Sequence, residues 1–210
     1  MSALASTATG TASSTDRRRP LVGILLYDEV EVLDFAGPFE VFSGTTDPQG
    51  EPYVDIVTIG PTREVVCHGG LRVVVGHLVP ECPPLDALVV PGGLGADVRT
   101  PVQDAVLLPF LRDRATSTPT VASVCTGAFL LARAGLFEGH RVTTHTQALP
   151  ALRAEFPELD VVGGKIVDEG AIVSAAGVSS GIDLALHLLE RWFGPEARQR
   201  AATGLDGPWR

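Results

Sequence analysis

Cysteine is scarce in this sequence. Its 210 residues include only three cysteines, Cys67, Cys82 and Cys125. An odd number without paired spacing does not form a disulfide framework, and no CxxC or clustered Cys/His pattern indicates a zinc site. The sequence therefore predicts a domain that folds without disulfide or metal staples, in a reducing compartment for which the cytoplasm is the simplest choice.

Long apolar runs and excess positive charge are also missing. The sequence has no stretch of about 18 or more apolar residues, so no transmembrane helix is expected. Lys and Arg number 16 against 25 Asp and Glu, which gives a formal net charge of −9. An acidic balance of this kind works against nonspecific binding to nucleic acid or to an anionic membrane, and a small-molecule substrate is the expected partner.

The remaining composition is that of an ordinary globular protein, with 45% hydrophobic residues. The length fits one sizeable domain, which we expect over residues 20–204. Residues 1–19 are rich in Ser, Thr and Ala and lack the apolar region of a secretory signal, so they predict a disordered tail. Residues 205–210 form a short tail at the other end.

Apolar runs that predict strands alternate along the domain with segments of helical spacing. The expected strands lie at 20–27, 53–60, 86–91 and 120–124, with a hairpin over 63–75 and two short strands within 159–173. The expected helices lie at 34–43, 101–116, 126–135, 147–156 and 179–193. The last of these helices has apolar residues on two faces, which predicts burial on two sides.

This alternation predicts an α/β fold, with an open parallel sheet and helices on both faces. In such sheets, ligands bind at the carboxyl ends of the strands, near the point where the strand order reverses. Three parts of the chain would meet there: the loop near Asp34, the Gly92–Gly93 turn and the turn at Cys125.

The segment VASVCTGAFLLARAG, residues 121–135, breaks a buried strand at Cys125 and continues directly as a helix. This is the arrangement of a nucleophile elbow. Ser123 and Gly127 are small enough for strand and helix to pass closely, and the positive end of the helix dipole would favour the thiolate. The alternative is a buried structural cysteine, which is our interpretation of Cys67 and Cys82 because they lack this context.

Further residues are candidates for a site around the thiol. Backbone N–H groups of Gly92, Gly93 and Thr126 could form an oxyanion hole, although a PGG sequence alone indicates only a turn. Asp34 is either a helix N-cap or a carboxylate that transfers protons beside the thiol. His145 is either structural or a spatial partner of the cysteine.

Four segments resemble the DJ-1/PfpI superfamily, which has a class I glutamine-amidotransferase-like fold. These segments are YDEVEVLDFAGPFEVF, ALVVPGGLG, VASVCTGAFLLARAGLFEGHRVTTH and SAAGVSSGIDLALHLLERWFG. More narrowly, they are similar to isocyanide hydratases and to the amidotransferase-like sensor domains of AraC-type regulators. The resemblance implies a flavodoxin-like sheet, no cofactor and a homodimer, and the two-sided apolar helix also favours the homodimer.

The resemblance assigns Cys125 as the nucleophile, Thr126 as its polar neighbour and Asp34 as the acidic residue. In many proteases and deglycases of the superfamily the acid is Glu and a His follows the Cys, whereas Asp34 with Cys125–Thr126 is the hydratase-like combination. Relatives usually continue TTH with Trp, and the Thr146 found here leaves the substrate open. The residues expected to line the pocket are Gly92, Gly93, His145, Thr146, Val178 and Ser179.

The leading hypothesis is hydration of an isocyanide to an N-substituted formamide. The Cys125 thiolate would attack the terminal carbon while the nitrogen gains a proton, and water oriented by Asp34 and Thr126 would then attack the thioimidate. The main alternative keeps the thiol and acts on an amide, thioester or α-oxoaldehyde, as a hydrolase, a lyase or a tailoring enzyme of specialised metabolism. A third hypothesis is a non-catalytic ligand-sensing domain, against which stands the short LDGPWR end, without room for a helix-turn-helix module.

Overall fold

The fold is described from a computed structural model and covers residues 18–94 and 103–209. Of the predicted tail 1–19, residues 1–17 lie outside the described part. Of the predicted helix 101–116, residues 101 and 102 lie outside it. The α-helices described are α1 (Val32–Gly44), α2 (Leu108–Ala115), α3 (Gly127–Arg133), α4 (Leu149–Glu155), α5 (Ser180–Phe193) and α6 (Pro195–Gly204). The strands described are β1 (Leu21–Leu25), β2 (Asp55–Gly60), β3 (Glu64–Val66), β4 (Arg72–Val74), β5 (His77–Leu78), β6 (Ala87–Val90), β7 (Thr120–Val124), β8 (Arg141–Val142), β9 (Asp160–Val161), β10 (Ile166–Asp168) and β11 (Ile172–Ala175).

The main sheet has seven strands in the order β10-β11-β7-β6-β1-β2-β5. All neighbouring pairs are parallel except β10 and β11. The predicted open, parallel α/β sheet is therefore confirmed, and it carries one antiparallel strand at this edge. The connection from β10 to β11 is a tight turn in which the Gly170 N–H donates to Asp168 Oδ1 at 2.8 Å, and so short a connection joins only antiparallel strands.

The central strands β6 and β7 are buried along their whole length. Continuous apolar or small residues are typical of parallel strands covered on both faces, which is why the sequence located these two well. The predicted hairpin over 63–75 is confirmed, because β3 and β4 pair antiparallel. The short strands β8 and β9 form a separate parallel pair.

Helix α5 is buried on two sides by its own chain. Leu184 and Leu188 are fully buried, as are most residues of the opposite apolar face. The helix packs against α1, α6 and the sheet, so neither face is left free for a second copy. The expectation of a homodimer therefore has no support from this helix and depends on the resemblance alone.

Close packing between α1 and α5 fixes the position of the first turn of α1. A Cβ at Gly37 would lie 2.9 Å from Ile182 Cγ1, and a Cβ at Gly181 would lie 3.2 Å from the carbonyl oxygen of Asp34. Contacts this short mean that a larger residue at either place would push the two helices or their side chains apart. Close contact between the two helices therefore fixes the position of the Asp34 backbone.

Helix α6 was not predicted from the sequence. It begins at Pro195, directly after Gly194 with a φ of 90°, and its buried side chains are alanines, Ala197, Ala201 and Ala202. After it, Leu205 and Trp209 pack partly against the core. Among the described residues, each helix is either too short or too polar to span a bilayer.

Candidate active site

Cys125 lies at the sharp turn between β7 and α3, as predicted. Its φ is +56°, which places a non-glycine residue in the left-handed region. The turn is held on both sides, because the Cys125 N–H donates to the Ala176 carbonyl at 2.9 Å and the Thr144 hydroxyl donates to the Cys125 carbonyl at 2.7 Å. A residue held in this conformation by its neighbours is typical of a functional site.

Two glycines allow other chain segments to approach the cysteine. A Cβ at Gly127 would lie 2.2 Å from the Val90 carbonyl oxygen, which confirms the need for a small residue after the elbow. A Cβ at Gly177 would lie 3.0 Å from Cys125 Sγ and 2.1 Å from His145 Cδ2. The imidazole ring and the sulfur therefore flank the same small space, which any larger residue at position 177 would fill.

Asp34 is fully buried in the first turn of α1. The helix begins before it, and its carboxylate Oδ2 accepts the Gly92 N–H at 2.9 Å instead of capping its own helix. The N-cap interpretation is therefore wrong. The other oxygen, Oδ1, is buried, and none of the described residues gives it a well-aligned hydrogen bond. The Cys125 side chain interacts with this carboxyl group and favours its ionised form.

Burial raises the pKa of Asp34 to about 7, and the charge of Glu31 adds to the rise. The Gly92 N–H and the Cys125 side chain act in the opposite direction because they favour the carboxylate. A carboxyl group whose pKa lies near neutrality can both accept and donate a proton under ordinary conditions. Asp34 therefore has the properties of a general acid/base.

Burial raises the pKa of Cys125 to about 12, and the nearby negative charge of Asp34 adds to this rise. Hydrogen bonds from Thr126 lower the pKa only in part. The sequence predicts that the helix end favours the thiolate, whereas burial and the negative charge of Asp34 act in the opposite direction on the Cys125 pKa. At rest the pair is a thiol beside a carboxyl group that can take its proton.

Two of the three expected oxyanion-hole donors are already bonded elsewhere, and the third, the Thr126 N–H, interacts with the Cys125 side chain. The Gly92 N–H is bonded to Asp34, and the Gly93 N–H is bonded to Thr126 Oγ1 at 3.0 Å. The Thr126 hydroxyl in turn donates to the Gly93 carbonyl at 3.1 Å. Both glycine N–H groups therefore position the acid and the threonine beside the cysteine, and neither is free for a substrate oxygen.

A cavity of about 210 Å³ opens beside Cys125. Its lining residues are Glu31, His68, Gly93, Leu94, Cys125, Thr126, His145 and Val178. Four of the residues expected from the sequence to be in the site, Gly93, Thr126, His145 and Val178, thus meet around the thiol. Asp34 and Gly92 lie behind the wall of the cavity.

Besides Gly92, two further expected pocket residues, Thr146 and Ser179, do not line the cavity. Thr146 is exposed and begins a 3₁₀ turn over Thr146–Ala148, and Ser179 is the exposed residue just before α5. The expectation that Thr146 and Ser179 line the pocket is therefore wrong for this cavity. His145, the residue before the turn, lines the cavity, and its Nδ1 accepts the Gln147 N–H at 3.2 Å.

Sequence reasoning missed Glu31, His68 and Leu94. Backbone hydrogen bonds hold Glu31 and His68 at the site. The Glu31 N–H donates to the Gly92 carbonyl at 2.8 Å, and the His68 N–H donates to the Val30 carbonyl at 2.9 Å. The acidic run before Asp34 was a signal for Glu31, whereas nothing in the local sequence connects the hairpin turn at His68 to the cysteine.

The other two cysteines lie in different surroundings. Cys67 and Cys82 are buried, burial raises the pKa of each thiol, and neither is among the residues that line the cavity. Within residues 18–94 and 103–209, no group of three or more His, Cys, Asp or Glu side chains is placed to hold a metal ion.

Together these features define an α/β protein with a cysteine on a strand-to-helix elbow and a buried carboxyl group beside it. The chain belongs to the DJ-1/PfpI family, whose sequence profile matches residues 21–191. The mostly parallel seven-stranded sheet is the flavodoxin-like fold of that family.

Three relatives illustrate the range of the family. The isonitrile hydratase of Pseudomonas putida is 34% identical over 189 residues, covering 88% of this chain and 77% of that protein. The HTH-type transcriptional regulator GbdR of Pseudomonas aeruginosa is 27% identical over 183 residues, covering 86% of this chain and 49% of the regulator. The crystal structure of a THiJ/PfpI family protein from Pseudomonas syringae has a TM-score of 0.79 at 22% identity, covering 96% of this chain and 83% of that one.

The coupling between Asp34 and Cys125 predicts how alkylation depends on pH. Because the two groups share one proton above about pH 7, the iodoacetamide rate at Cys125 should follow the ionisation of Asp34. We expect the rate to rise about tenfold per pH unit below pH 7 and to level off above it. Peptide mass spectrometry of samples quenched at intervals measures the rate for each cysteine.

Asp34→Asn is the matched variant for this experiment. Without the carboxylate the thiol loses a negative charge that raises its pKa, so its alkylation should not level off near pH 7 and should continue to rise up to about pH 9. A wild-type rate that climbs evenly over the same pH range, as in the variant, would contradict the shared proton.

Proposed function

We propose that this protein hydrates an isocyanide to an N-substituted formamide through a covalent intermediate on Cys125. The observation that carries the proposal is geometric, a Cys125 thiol on a strand-to-helix elbow in the left-handed region with the fully buried carboxyl group of Asp34 beside it. Addition of a thiol to an isocyanide needs the sulfur as nucleophile and a group that moves the thiol proton to the substrate. The similarity to an isonitrile hydratase supports the same reaction.

In the first step, Cys125 Sγ forms a bond to the terminal carbon of R–N≡C while Asp34 takes the thiol proton. The formamide product carries a hydrogen on that carbon, so the proton must end on carbon and not on nitrogen. Asp34 delivers it there, and the product of the step is the thioimidate R–N=CH–S–Cys125. The buried carboxyl group is back in its ionised form, with all atoms accounted for.

In the second step, Asp34 accepts a proton from water as the water oxygen attacks the thioimidate carbon, and it passes this proton to the nitrogen, which leaves Asp34 ionised again. The adduct R–NH–CH(OH)–S–Cys125 then collapses. The carbon–sulfur bond breaks, the hydroxyl proton returns through Asp34 to sulfur, and R–NH–CHO leaves. His145 is placed to assist at nitrogen, because Nδ1 accepts the Gln147 N–H, which leaves Nε2 to carry the proton of the neutral ring.

The backbone geometry favours this reaction over acyl transfer. Hydrolysis of an amide or thioester develops negative charge on oxygen and depends on N–H donors aimed at that oxygen. Here the Gly92 and Gly93 N–H groups are already bonded to Asp34 and Thr126. The site is therefore better equipped to move protons than to bind an oxyanion.

A second candidate function is ligand sensing without turnover. The observation that favours it is the similarity to GbdR, a transcriptional regulator of which this chain covers about half. A sensing domain would bind a small molecule in the same cavity and leave it unchanged. The two functions differ in a single measurable property, the release of product.

Incubation with p-nitrophenyl isocyanide tests the proposal directly. We expect formation of the corresponding formamide, measured by chromatography, with many turnovers per protein molecule. Methylglyoxal and simple amides serve as comparison substrates for the alternative thiol chemistry. Saturable binding of isocyanides without formamide would favour sensing, and turnover of methylglyoxal or an amide alone would overturn the hydratase assignment.

A further inference from the structure

The cavity beside Cys125 has a one-sided charge. Among the lining residues that the structure describes, Glu31 carries a carboxylate, and none is a lysine or an arginine. The remaining lining residues are apolar, hydroxyl-bearing, glycine or histidine, apart from the cysteine itself. Within the described part of the chain, Glu31 is therefore the only Asp, Glu, Lys or Arg side chain that lines the cavity.

The fold does not use the carboxylate of Glu31. This residue is the N-cap of α1, yet its side chain makes no capping hydrogen bond, and no ion pair to it is found among the described residues. Its backbone is fixed, because the N–H donates to the Gly92 carbonyl and a Cβ at Gly93 would lie 2.7 Å from the Glu31 nitrogen. A half-buried carboxylate on a fixed backbone, without an ion-pair partner among residues 18–94 and 103–209, is available to a ligand.

We propose that Glu31 selects substrates by charge, so that the site accepts a neutral or cationic substituent on the isocyanide and rejects an anionic one. The identity of the reacting group rests on the proposed hydration, whereas selection by charge does not. A carboxylate beside the thiol repels an anion as it approaches and attracts an ammonium group. The charge of Glu31 is felt within the site, since it contributes to the behaviour of Asp34.

This proposal names a class of substrate. An isocyanide derived from an amino acid with a free carboxylate would be excluded, whereas one that bears an amine or only uncharged groups would be accepted. Two negative charges about 7 Å apart, at an effective dielectric constant of about 35–50 for a partly open cavity, repel each other enough to change a rate about five- to tenfold. Salt reduces such an effect because the cavity is open to solvent.

Alkylation of Cys125 tests the proposal without any assumption about the reaction. Iodoacetamide is neutral and iodoacetate is anionic, and the two differ little in size. In the wild-type protein at about pH 8 and low salt, we expect the ratio of the iodoacetamide rate to the iodoacetate rate at Cys125 to exceed that of a free thiol. In Glu31→Gln this ratio should fall about five- to tenfold, chiefly through faster reaction with iodoacetate.

Glu40→Gln is the matched control. Glu40 is an exposed residue of α1 that does not line the cavity, so its replacement removes the same charge from the same helix. The rate ratio should change less than twofold. A ratio unaltered in Glu31→Gln, or one that shifts equally in both variants, would overturn the proposal. Should Glu31→Gln fail to fold, the wild-type ratio must still fall as salt rises from about 0.05 to 0.5 M, and a constant ratio would refute it.

Substrates of three charges extend the test to turnover. Isohexyl isocyanide, dimethylaminopropyl isocyanide and isocyanobutanoate have similar lengths and carry no charge, a positive charge and a negative charge. We expect kcat/KM to be lowest for the carboxylate, and Glu31→Gln should raise it about five- to tenfold for that substrate alone. If no formamide forms but the alkylation ratio behaves as expected, the hydratase proposal fails and the charge selection stands.

Discussion

Replacement of Cys125 by alanine is expected to abolish formamide production. Cys125 is the only described cysteine that lines the cavity, and the proposed reaction forms a bond to its sulfur in the first step. Loss of a covalent nucleophile typically lowers kcat by a factor on the order of 10⁴ or more. Discontinuous chromatographic assays with p-nitrophenyl isocyanide, run at high protein concentration, have the range to measure such a loss.

Cys82→Ala is the control for this variant. Cys82 is as buried as Cys125, at 8% against 7% exposure, but it does not line the cavity. Its loss should lower stability by an amount typical of a small core truncation and leave kcat close to the wild-type value. Residual turnover within about tenfold of wild type in Cys125→Ala would show that another group performs the chemistry.

The elbow was predictable because its sequence determines its local structure. Five buried residues of β7 are followed directly by Cys125, Thr126 and a glycine, and no residue is left over for a loop. The need for glycine at position 127 follows from the same compactness, since a Cβ there would meet the Val90 carbonyl. Steric constraints between residues close together in the chain can be predicted from the sequence, and the structure has the predicted elbow at Cys125.

The chemical state of the thiol was not predictable in the same way. The sequence suggested a thiolate from the helix dipole, whereas burial and the charge of Asp34 favour the thiol. That balance depends on a distance between two residues that are far apart in the chain. For the same reason the sequence could not show that the Gly92 N–H is bonded to Asp34 rather than free for a substrate.

Elements without a strong apolar pattern were missed. Helix α6 buries only alanines, whose contribution to an apolar stripe is small, so its spacing gave no clear signal. Backbone hydrogen bonds hold Glu31 and His68 at the cavity. Glu31 is bonded to Gly92, and His68, in the hairpin turn, is bonded to Val30. Only the tertiary structure reveals contacts of this type.

Asp34→Asn is expected to lower the rate of formamide production by about 10²- to 10⁴-fold, the usual range for loss of a general acid/base. Asparagine has nearly the same shape and can still accept the Gly92 N–H, so the change removes the proton transfer and little else. The thiol then has no buried base, and both steps of the proposed reaction lose the group that moves their protons. The effect should appear in kcat rather than in KM.

The same substitution should stabilise the fold above neutral pH. Burial raises the pKa of Asp34 from 3.8 to about 7, so the folded state binds a proton that the unfolded chain releases. Between these two values the free energy of unfolding contributed by Asp34 falls as pH rises, by up to about 1.4 kcal/mol per pH unit. Asparagine carries no charge to bury, so at about pH 8 the variant should be more stable, on the order of 2–4 kcal/mol.

Activity and stability measured together distinguish a proton-transfer group from a structural one. Thermal unfolding of wild type and Asp34→Asn from about pH 4 to 8 should show curves that separate as pH rises, with the variant higher. Asp113→Asn, which removes an exposed carboxylate on α2, should follow the wild type in both rate and stability. If Asp34 were mainly structural, its loss would lower the melting temperature at every pH and reduce the rate only in proportion to the unfolded fraction. A slower but more stable Asp34→Asn protein cannot be explained in that way, because it requires a carboxyl group that is costly to keep buried and necessary for the reaction.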